Sequence, residues 1–194
     1  MKKYLFLALI LTAWGCEKVK QSERQAVYYY NIDSLLTAQR NLLIAKSAHL
    51  DKWAFVDQDT TRNTLKPDST WKDELAFFKK MDINKPVLEG VYEVNTVEDA
   101  NSNLKVRSYA APKGREVEVN FLKVYYLNDI NKLKRIEALY TENNPIYTSS
   151  RYFTLKFDDV KGETLLQQFS VKGGQKMIFK DSISFEVKGT VKLR

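Results

Sequence analysis

Apolar residues recur at helical spacing in the first half of the chain and alternate with polar residues in the second half. The helical spacing predicts two amphipathic helices, because residues three and four apart lie on one face of a helix. We expect the first over 33–50, capped by Asp33 or Ser34, and the second to begin at Ser69 or Thr70. The buried faces would be formed by Leu36, Leu42, Leu43 and Leu50, and by Trp71, Leu75, Phe77, Phe78 and Met81.

The alternation after residue 87 predicts about eight short strands, among them 136–140, 153–157, 165–171 and 183–193. Short turns join them, and strands joined in this way must be antiparallel. The parity of the apolar positions changes near Leu122, which indicates a bulge, and Gly173-Gly174 is predicted to form a hairpin turn. The sequence therefore predicts an α+β fold, with N-terminal amphipathic helices packed on a curved, half-barrel-like antiparallel β-meander.

The first sixteen residues carry the features of an export signal. Two lysines precede a mainly apolar run over 4–14, which is shorter than the roughly 20 residues of a bilayer-spanning helix. The run ends at the only cysteine of the chain. The segment Ala13-Trp14-Gly15-Cys16 resembles the lipobox of bacterial lipoproteins.

The lipobox resemblance implies cleavage before Cys16 and attachment of acyl chains such as palmitate to that residue. Two or more acyl chains make membrane anchoring stable. We therefore expect an exported protein of the cell envelope, held by lipid in the outer membrane and facing the periplasm or the surface. The alternative is a plain secretory signal with an incidental cysteine.

This interpretation divides the chain into a signal peptide at 1–15, a lipidated tether at 16–30 and one α+β domain at 31–194. The domain would consist of a helical part at 31–86 and a β-meander at 87–194. The tyrosine run Tyr28-Tyr29-Tyr30, at the end of the tether, would pack against the first helix or the sheet, or else lie at the membrane interface.

The order of tether, helices and meander resembles the lipoprotein-carrier type of half-barrel. The stretch from Tyr147 to Phe179 is similar in style to uncharacterised lipoproteins of the Bacteroidota. That resemblance implies no catalytic residues.

Composition excludes several classes of protein. One cysteine rules out a disulfide within the chain, and with one histidine it rules out the usual zinc sites. The net charge is +7, but the basic residues are spread along the chain, so nucleic acid is not an expected partner. A local basic cluster, Lys132, Lys134 and Arg135, would either guard a strand edge or meet phosphate groups of lipids.

No residue pattern predicts a catalytic, metal or cofactor site. His49 is expected late on the first helix, where it would interact with the helix dipole. Asp57 and Asp59, in a polar loop over 57–69, lack the further ligands of a calcium loop. Asp158-Asp159 is typical of a hairpin turn.

Carboxylates are the one plausible catalytic class. Glu116 and Glu118 are expected on one face of a strand, where they would form either an acid/base pair or an exposed acidic surface.

The aromatic content, 11 Tyr and 10 Phe, is the one feature of composition with functional content. It favours a non-catalytic binding protein that holds an apolar ligand between helices and sheet. The alternative is a structural or assembly subunit that contacts another envelope protein through strand edges or loops. A carboxylate-dependent hydrolase ranks third.

Overall fold

A computed structural model describes residues 27–57, 59–65 and 70–193. The predicted signal peptide, Cys16 and the tether up to residue 26 lie outside the described residues. Among the helices that are described, none has the length and apolar character needed to cross a bilayer.

Two short helical segments and one large sheet make up the described chain. Helix α1 spans Ile32–Ala45 and α2 spans Thr70–Ala76; 3₁₀ helices follow at Phe77–Met81 and Pro86–Leu88. The strands are β1 (His49–Val56), β2 (Asp59–Leu65), β3 (Glu93–Glu98), β4 (Lys105–Ala110), β5 (Val119–Tyr126), β6 (Leu133–Asn143), β7 (Tyr147–Val160), β8 (Glu163–Met177) and β9 (Lys180–Lys192).

All nine strands belong to one open antiparallel sheet, in the order β2-β1-β9-β8-β7-β6-β5-β4-β3. Strands β3 to β9 form the predicted meander, and the N-terminal hairpin β1–β2 then joins it beside β9. The predicted bulge is confirmed, because the register of β5 against β6 shifts between Val119 and Phe121. The fold is therefore an antiparallel sheet, as the alternating pattern predicts, but it has less helix than the sequence predicts.

Helix α1 is capped by Asn31, whose Oδ1 accepts a hydrogen bond from Ser34 N at 2.8 Å. Asp33 and Ser34 therefore lie inside the first turn instead of capping it. The helix is fixed to β8 by Gln39, which donates to Thr164 O at 2.9 Å and accepts from Leu166 N at 2.8 Å. These two hydrogen bonds join the helix to β8 beside its bulge, in the part of β8 that pairs with β7 but lies beyond the first pair with β9, Gln168 and Thr190.

The predicted first helix, 33–50, is too long, and the segment 31–86 is not wholly helical. Strand β1 begins at His49 and β2 replaces most of the predicted polar loop. Leu50 belongs to strand β1 and its side chain is buried, although its spacing from Leu43 also fits a helical face. The pattern is ambiguous there, and pairing with β9, more than 130 residues away in sequence, decides it.

The predicted second helix is confirmed in most of its buried face, but Phe77, which was expected there, is 39% exposed. Trp71, Leu75, Phe78 and Met81 are all buried, although the backbone tightens to a 3₁₀ helix from Phe77 onward. They cover one face of the sheet, whose core side includes Phe153, Leu155, Val171 and Val191.

Tyr29 packs against the sheet, as predicted for the tyrosine run. Its ring meets those of Tyr92 and Tyr109 edge-on at 5.4 and 5.7 Å, and its hydroxyl donates to Leu88 O at 2.9 Å. Because Tyr29 is buried in the core, the folded domain begins before residue 31.

One predicted turn and one predicted strand edge are wrong. Gly173-Gly174 lies within β8, and the turn falls at Ile178-Phe179. Close packing against β7 requires a glycine at position 173, since a Cβ there would stand 2.2 Å from Ser150 O. Lys134 and Arg135 lie on β6, which has neighbours on both sides and is not an edge.

Candidate functional site

An apolar groove runs between the helical segments and the sheet, and we call it the helix–sheet groove. It has a volume of about 350 Å³. One wall comes from α2 and the following 3₁₀ helix, and the other from β1, β8 and β9. The lining residues are Lys52, Asp73, Glu74, Phe77, Phe78, Phe169, Val171, Phe185 and Val187.

Aromatic packing shapes the inner end of this groove. Phe78 lies edge-on to Phe169, with ring centroids 5.1 Å apart, and to Phe153 at 5.7 Å. Phe169 can reach this position because its cross-strand partner is Gly189. A Cβ at Gly189 would stand 2.2 Å from the Phe169 ring. The glycine in β9 therefore makes room for the ring that lines the groove.

An ion pair links the two walls on the side of β1. Lys52 Nζ lies 2.8 Å from both carboxylate oxygens of Glu74, so the contact is bidentate. The partners come from β1 and α2, and both are partly shielded from solvent. This pair ties the short helix to the sheet and places charge at the rim of an otherwise apolar space.

A charged cluster adjoins Phe77, and we call it the Glu142 cluster: Lys80, Tyr140, Glu142, Tyr147 and Arg151. Glu142 Oε2 lies 3.8 Å from Lys80 Nζ and 3.9 Å from Arg151 Nη1, and the Tyr147 hydroxyl donates to Oε1. The Arg151 guanidinium also stands 5.6 Å from the centre of the Phe77 ring.

Hydrogen bonding and burial perturb ionisation in this cluster. The Tyr147 hydroxyl lowers the pKa of Glu142, and Lys80 and Arg151 add to that shift. Burial raises the pKa of Tyr140 to about 12, and the carboxylates of Glu118 and Glu142 contribute. At neutral pH the cluster therefore holds an ionised Glu142 between two cations, beside a protonated tyrosine.

The predicted carboxylate pair lies in a loop and not on a strand, because β5 begins only at Val119. Glu116 and Glu118 are exposed and border a polar cavity of about 420 Å³, whose lining also includes Glu142. Tyr140 OH donates to Glu118 Oε1 at 3.2 Å. The sequence prediction of one shared strand face is therefore wrong, although one cavity does bring these side chains together.

The remaining predicted polar residues form turns and strand ends. Asp57 adopts a left-handed backbone and accepts from Ser184 N at 2.9 Å, so it joins the β1–β2 turn to β9. Asp159 accepts from Gly162 N at 2.8 Å, which confirms the predicted hairpin-turn chemistry. His49 begins β1 and is not at a helix end. Within the described residues, no three His, Cys, Asp or Glu side chains are grouped to hold a metal ion.

Two residues of the predicted basic cluster form contacts within the protein. Lys134 Nζ pairs with Asp158 Oδ1 at 2.7 Å. The Arg135 guanidinium lies 3.9 Å from the centre of the Tyr125 ring, and its Nε is 3.2 Å from Glu137 Oε1. Two of the three cations of the basic cluster, Lys134 and Arg135, are therefore engaged by side chains of the protein itself.

Sequence reasoning missed Lys52, Arg151 and Gly189 as parts of the site. Only Gly189 carried a local signal, since a glycine at an inward position of an alternating strand marks a close approach. Lys52 meets Glu74 of α2 from a strand that pairs with the distant β9, for which the sequence offers no local sign. Arg151 meets Glu142 across the local β6–β7 hairpin, but the sequence does not show that Phe77 packs beside this pair.

No family model and no curated protein matches the sequence. Among solved structures, the chain is similar to a LolA superfamily protein from Nitrosomonas europaea, with 10% identity and a TM-score of 0.30. The matched region covers 86% of this chain and 94% of that protein.

Proposed function

We propose that this chain is an exported lipoprotein, anchored through acyl groups on Cys16, that binds an apolar chain in the helix–sheet groove. The observation that carries the binding proposal is the groove lining. Six of its nine side chains are Phe or Val, and the three charged ones come from the neighbouring parts of β1 and α2.

The groove has the size and chemistry of a small-molecule site. Its volume of about 350 Å³ lies at the lower end of the roughly 300–1,000 Å³ that is usual for ligand pockets. Each methylene that leaves water contributes about 0.8 kcal/mol, so about eight of them contribute roughly 6 kcal/mol before the cost of association. A hydrocarbon segment is therefore the ligand class that this lining favours.

Two carboxylates at or beside the groove, Glu74 and Glu142, support binding rather than catalysis. Glu74 is engaged by Lys52, and Glu142 is held by two cations and a tyrosine hydroxyl. The pKa of Glu142 is lowered, whereas a general acid at neutral pH requires a raised one.

Native mass spectrometry of residues 16–194 with Cys16→Ser, made in the periplasm, tests the proposal. Every described residue is included, and the substitution prevents acylation. We expect a co-purifying apolar species that is lost after organic extraction. A clean apo mass across preparations, together with no uptake of the fluorescent probe N-phenyl-1-naphthylamine, contradicts the binding proposal.

A groove-filling variant sharpens this test. Val187→Trp adds an indole to the groove wall, and Val97→Trp places the same residue on β3, away from the groove. We expect the first to reduce probe binding at least tenfold, and the second to leave it unchanged. Equal binding by both, with thermal unfolding confirming that both are folded, places the probe elsewhere.

Lipidation is tested separately by mass spectrometry of the full chain purified from bacterial membranes. We expect a mature N-terminus at Cys16 that carries acyl chains, and we expect Cys16→Ser to abolish their incorporation. An unmodified Cys16 in the exported protein contradicts the anchoring proposal and leaves the groove proposal standing.

The exposed edge strand β3 favours a second candidate function, a subunit that contacts another envelope protein. All six side chains of β3 are exposed, and the strand forms one end of the sheet. An edge of this kind can accept an added strand from a partner. Crosslinking from Val97→Cys in the Cys16→Ser background would capture such a partner in envelope membranes, and the Val187→Trp substitution would not affect that capture.

A further inference from the structure

The most exposed large apolar side chains are distributed unevenly over the described residues. Five of them are between 62% and 96% exposed: Val27, Val87, Ile146, Ile178 and Phe179. Side chains of this size are individually common on surfaces, but a group of them indicates an interaction site.

Three of the five, Ile146, Ile178 and Phe179, belong to one end of the sheet, which we call the tip end. It is the end at which β3, β5, β7 and β9 begin, because neighbouring strands are antiparallel throughout. Ile146 lies in the turn between β6 and β7, and Ile178-Phe179 in the turn between β8 and β9. The two turns touch, since Ile178 N donates to Ile146 O at 3.2 Å.

The other two residues lie on segments that are joined to each other and to the start of β3. Val87 lies on the 3₁₀ helix that leads into β3. Val27 precedes Tyr28 and Tyr29, whose backbone amides donate to Asn84 Oδ1 at 2.8 and 3.0 Å. At the opposite end, the described apolar side chains are less exposed, with Val97 on β3 the highest at 56%.

We propose that the tip end inserts into the interfacial region of a lipid bilayer. The apolar side chains stand on separate turns, and the cavity that Ile178 and Phe179 border together with Asp181 and Ile183 is wide open to solvent. A fluid surface that accommodates scattered side chains therefore suits them better than a rigid partner. Lys176, near the end of β8, is exposed, and a lysine beside an apolar tip suits anionic headgroups.

The length of the segment between Cys16 and Val27 is compatible with insertion of the tip end into the membrane that would hold the acyl anchor. Val27 follows Cys16 by eleven residues, and such a segment spans at most about 40 Å. An acyl anchor on Cys16 would therefore keep Val27 within about 40 Å of the same membrane. The tip-end proposal does not depend on that anchor, because the exposed residues would insert without it, nor on a ligand in the helix–sheet groove.

Fluorescence on vesicles tests the proposal directly. Residues 16–194 are coupled through their only cysteine, Cys16, to a maleimide lipid in vesicles of phosphatidylcholine and phosphatidylglycerol. The coupling raises the local concentration of protein at the bilayer. We compare Phe179→Trp with Val97→Trp, and expect brominated phosphatidylcholine to quench the added tryptophan at 179 but not at 97. Equal quenching at the two positions, or none at either, overturns the proposal.

Binding without coupling provides the second measurement. In the Cys16→Ser chain, the double substitution Ile178→Ser and Phe179→Ser removes apolar surface from an exposed turn, so the fold is expected to persist. We expect vesicle partitioning, measured by flotation, to fall by about tenfold or more, and Val97→Ser to leave it unchanged. Unchanged partitioning of the double variant, or no partitioning of the Cys16→Ser chain, overturns the proposal. Concentration-dependent dimerisation lost in the double variant would identify a second copy as the occupant instead.

Discussion

Truncation of Phe78 to alanine is the sharpest test of how the helical segments are held on the sheet. Phe78 is only 1% exposed, whereas its neighbour Phe77 is 39% exposed. The Phe78 ring contacts Phe153 and Phe169, which belong to β7 and β8. Phe78→Ala therefore removes a buried ring from the junction of three elements and leaves a cavity that continues into the helix–sheet groove.

The expected loss is about 4 kcal/mol, since buried Phe→Ala changes cost about 3–5 kcal/mol in transfer and cavity terms. Phe77→Ala is the matched control, with the same residue type on the same 3₁₀ helix. We expect about 1–2 kcal/mol for it, because part of that ring already contacts water.

Urea unfolding followed by circular dichroism measures both variants. With a slope of about 2 kcal/mol/M, the midpoint should fall by about 2 M for Phe78→Ala and by less than about 1 M for Phe77→Ala. The slopes must agree with that of the unmodified chain for this comparison to hold. Equal shifts in the two variants would refute the reasoning, since Phe78 would then contribute no more than a half-exposed ring.

Three further predictions concern an anchor, a close approach and a titration. Asn84→Ala leaves two backbone amides without their acceptor, and we expect a loss of about 2–3 kcal/mol in urea unfolding. Gly189→Ala forces a Cβ against the Phe169 ring. At Gly114 only the left-handed backbone opposes an alanine, at a cost of about 1 kcal/mol. Thermal unfolding should therefore show a larger loss of stability for Gly189→Ala than for Gly114→Ala. The pKa of Glu142 is lowered from 4.5, so its contribution is present above that value and is lost as the pH falls through the folded-state pKa. Acid unfolding should therefore show a steeper loss of stability below pH 4.5 in the unmodified chain than in Glu142→Gln.

Local patterns predicted the meander well because each strand of it pairs with a neighbour in sequence. The alternation of Phe153, Leu155 and Phe157 requires one buried face whatever the partner strand is, and all three are buried. The turn between Asp159 and Gly162 is stabilised by a local hydrogen bond and by a glycine with positive φ, so it too could be predicted from local sequence.

The same patterns failed where a distant strand decides the conformation. Strand β1 has no clear alternation of burial, and it is held by β2 on one side and β9 on the other. One of the two hydrogen-bonding partners of β1, strand β9, thus lies at the far end of the chain, and the leucine spacing through Leu50 fits both a helix and a strand. Lys52 reaches Glu74 only because that strand forms, so the groove could not be predicted in detail.

Gly173 shows the reverse error, in which a glycine pair with good turn chemistry lies inside a long strand. The Cβ that it lacks would collide with the backbone of β7 and stand 3.0 Å from the Phe185 ring. A turn and a close approach both favour glycine, and the sequence alone does not distinguish them.

The groove and the tip end can be related through the strands that connect them. Phe185 is the groove residue of β9 that lies nearest the tip end, five residues after the strand begins at Lys180. At about 3.3 Å per residue, roughly 17 Å of strand separates the groove from the β8–β9 turn. A hydrocarbon chain that enters from a bilayer at the tip end would have to cross this distance beside Gly173 and Ile183. If the two proposals describe one pathway, Phe179→Ser should slow ligand uptake from vesicles yet leave the affinity for a ligand added in solution unchanged, whereas Val187→Trp should lower both.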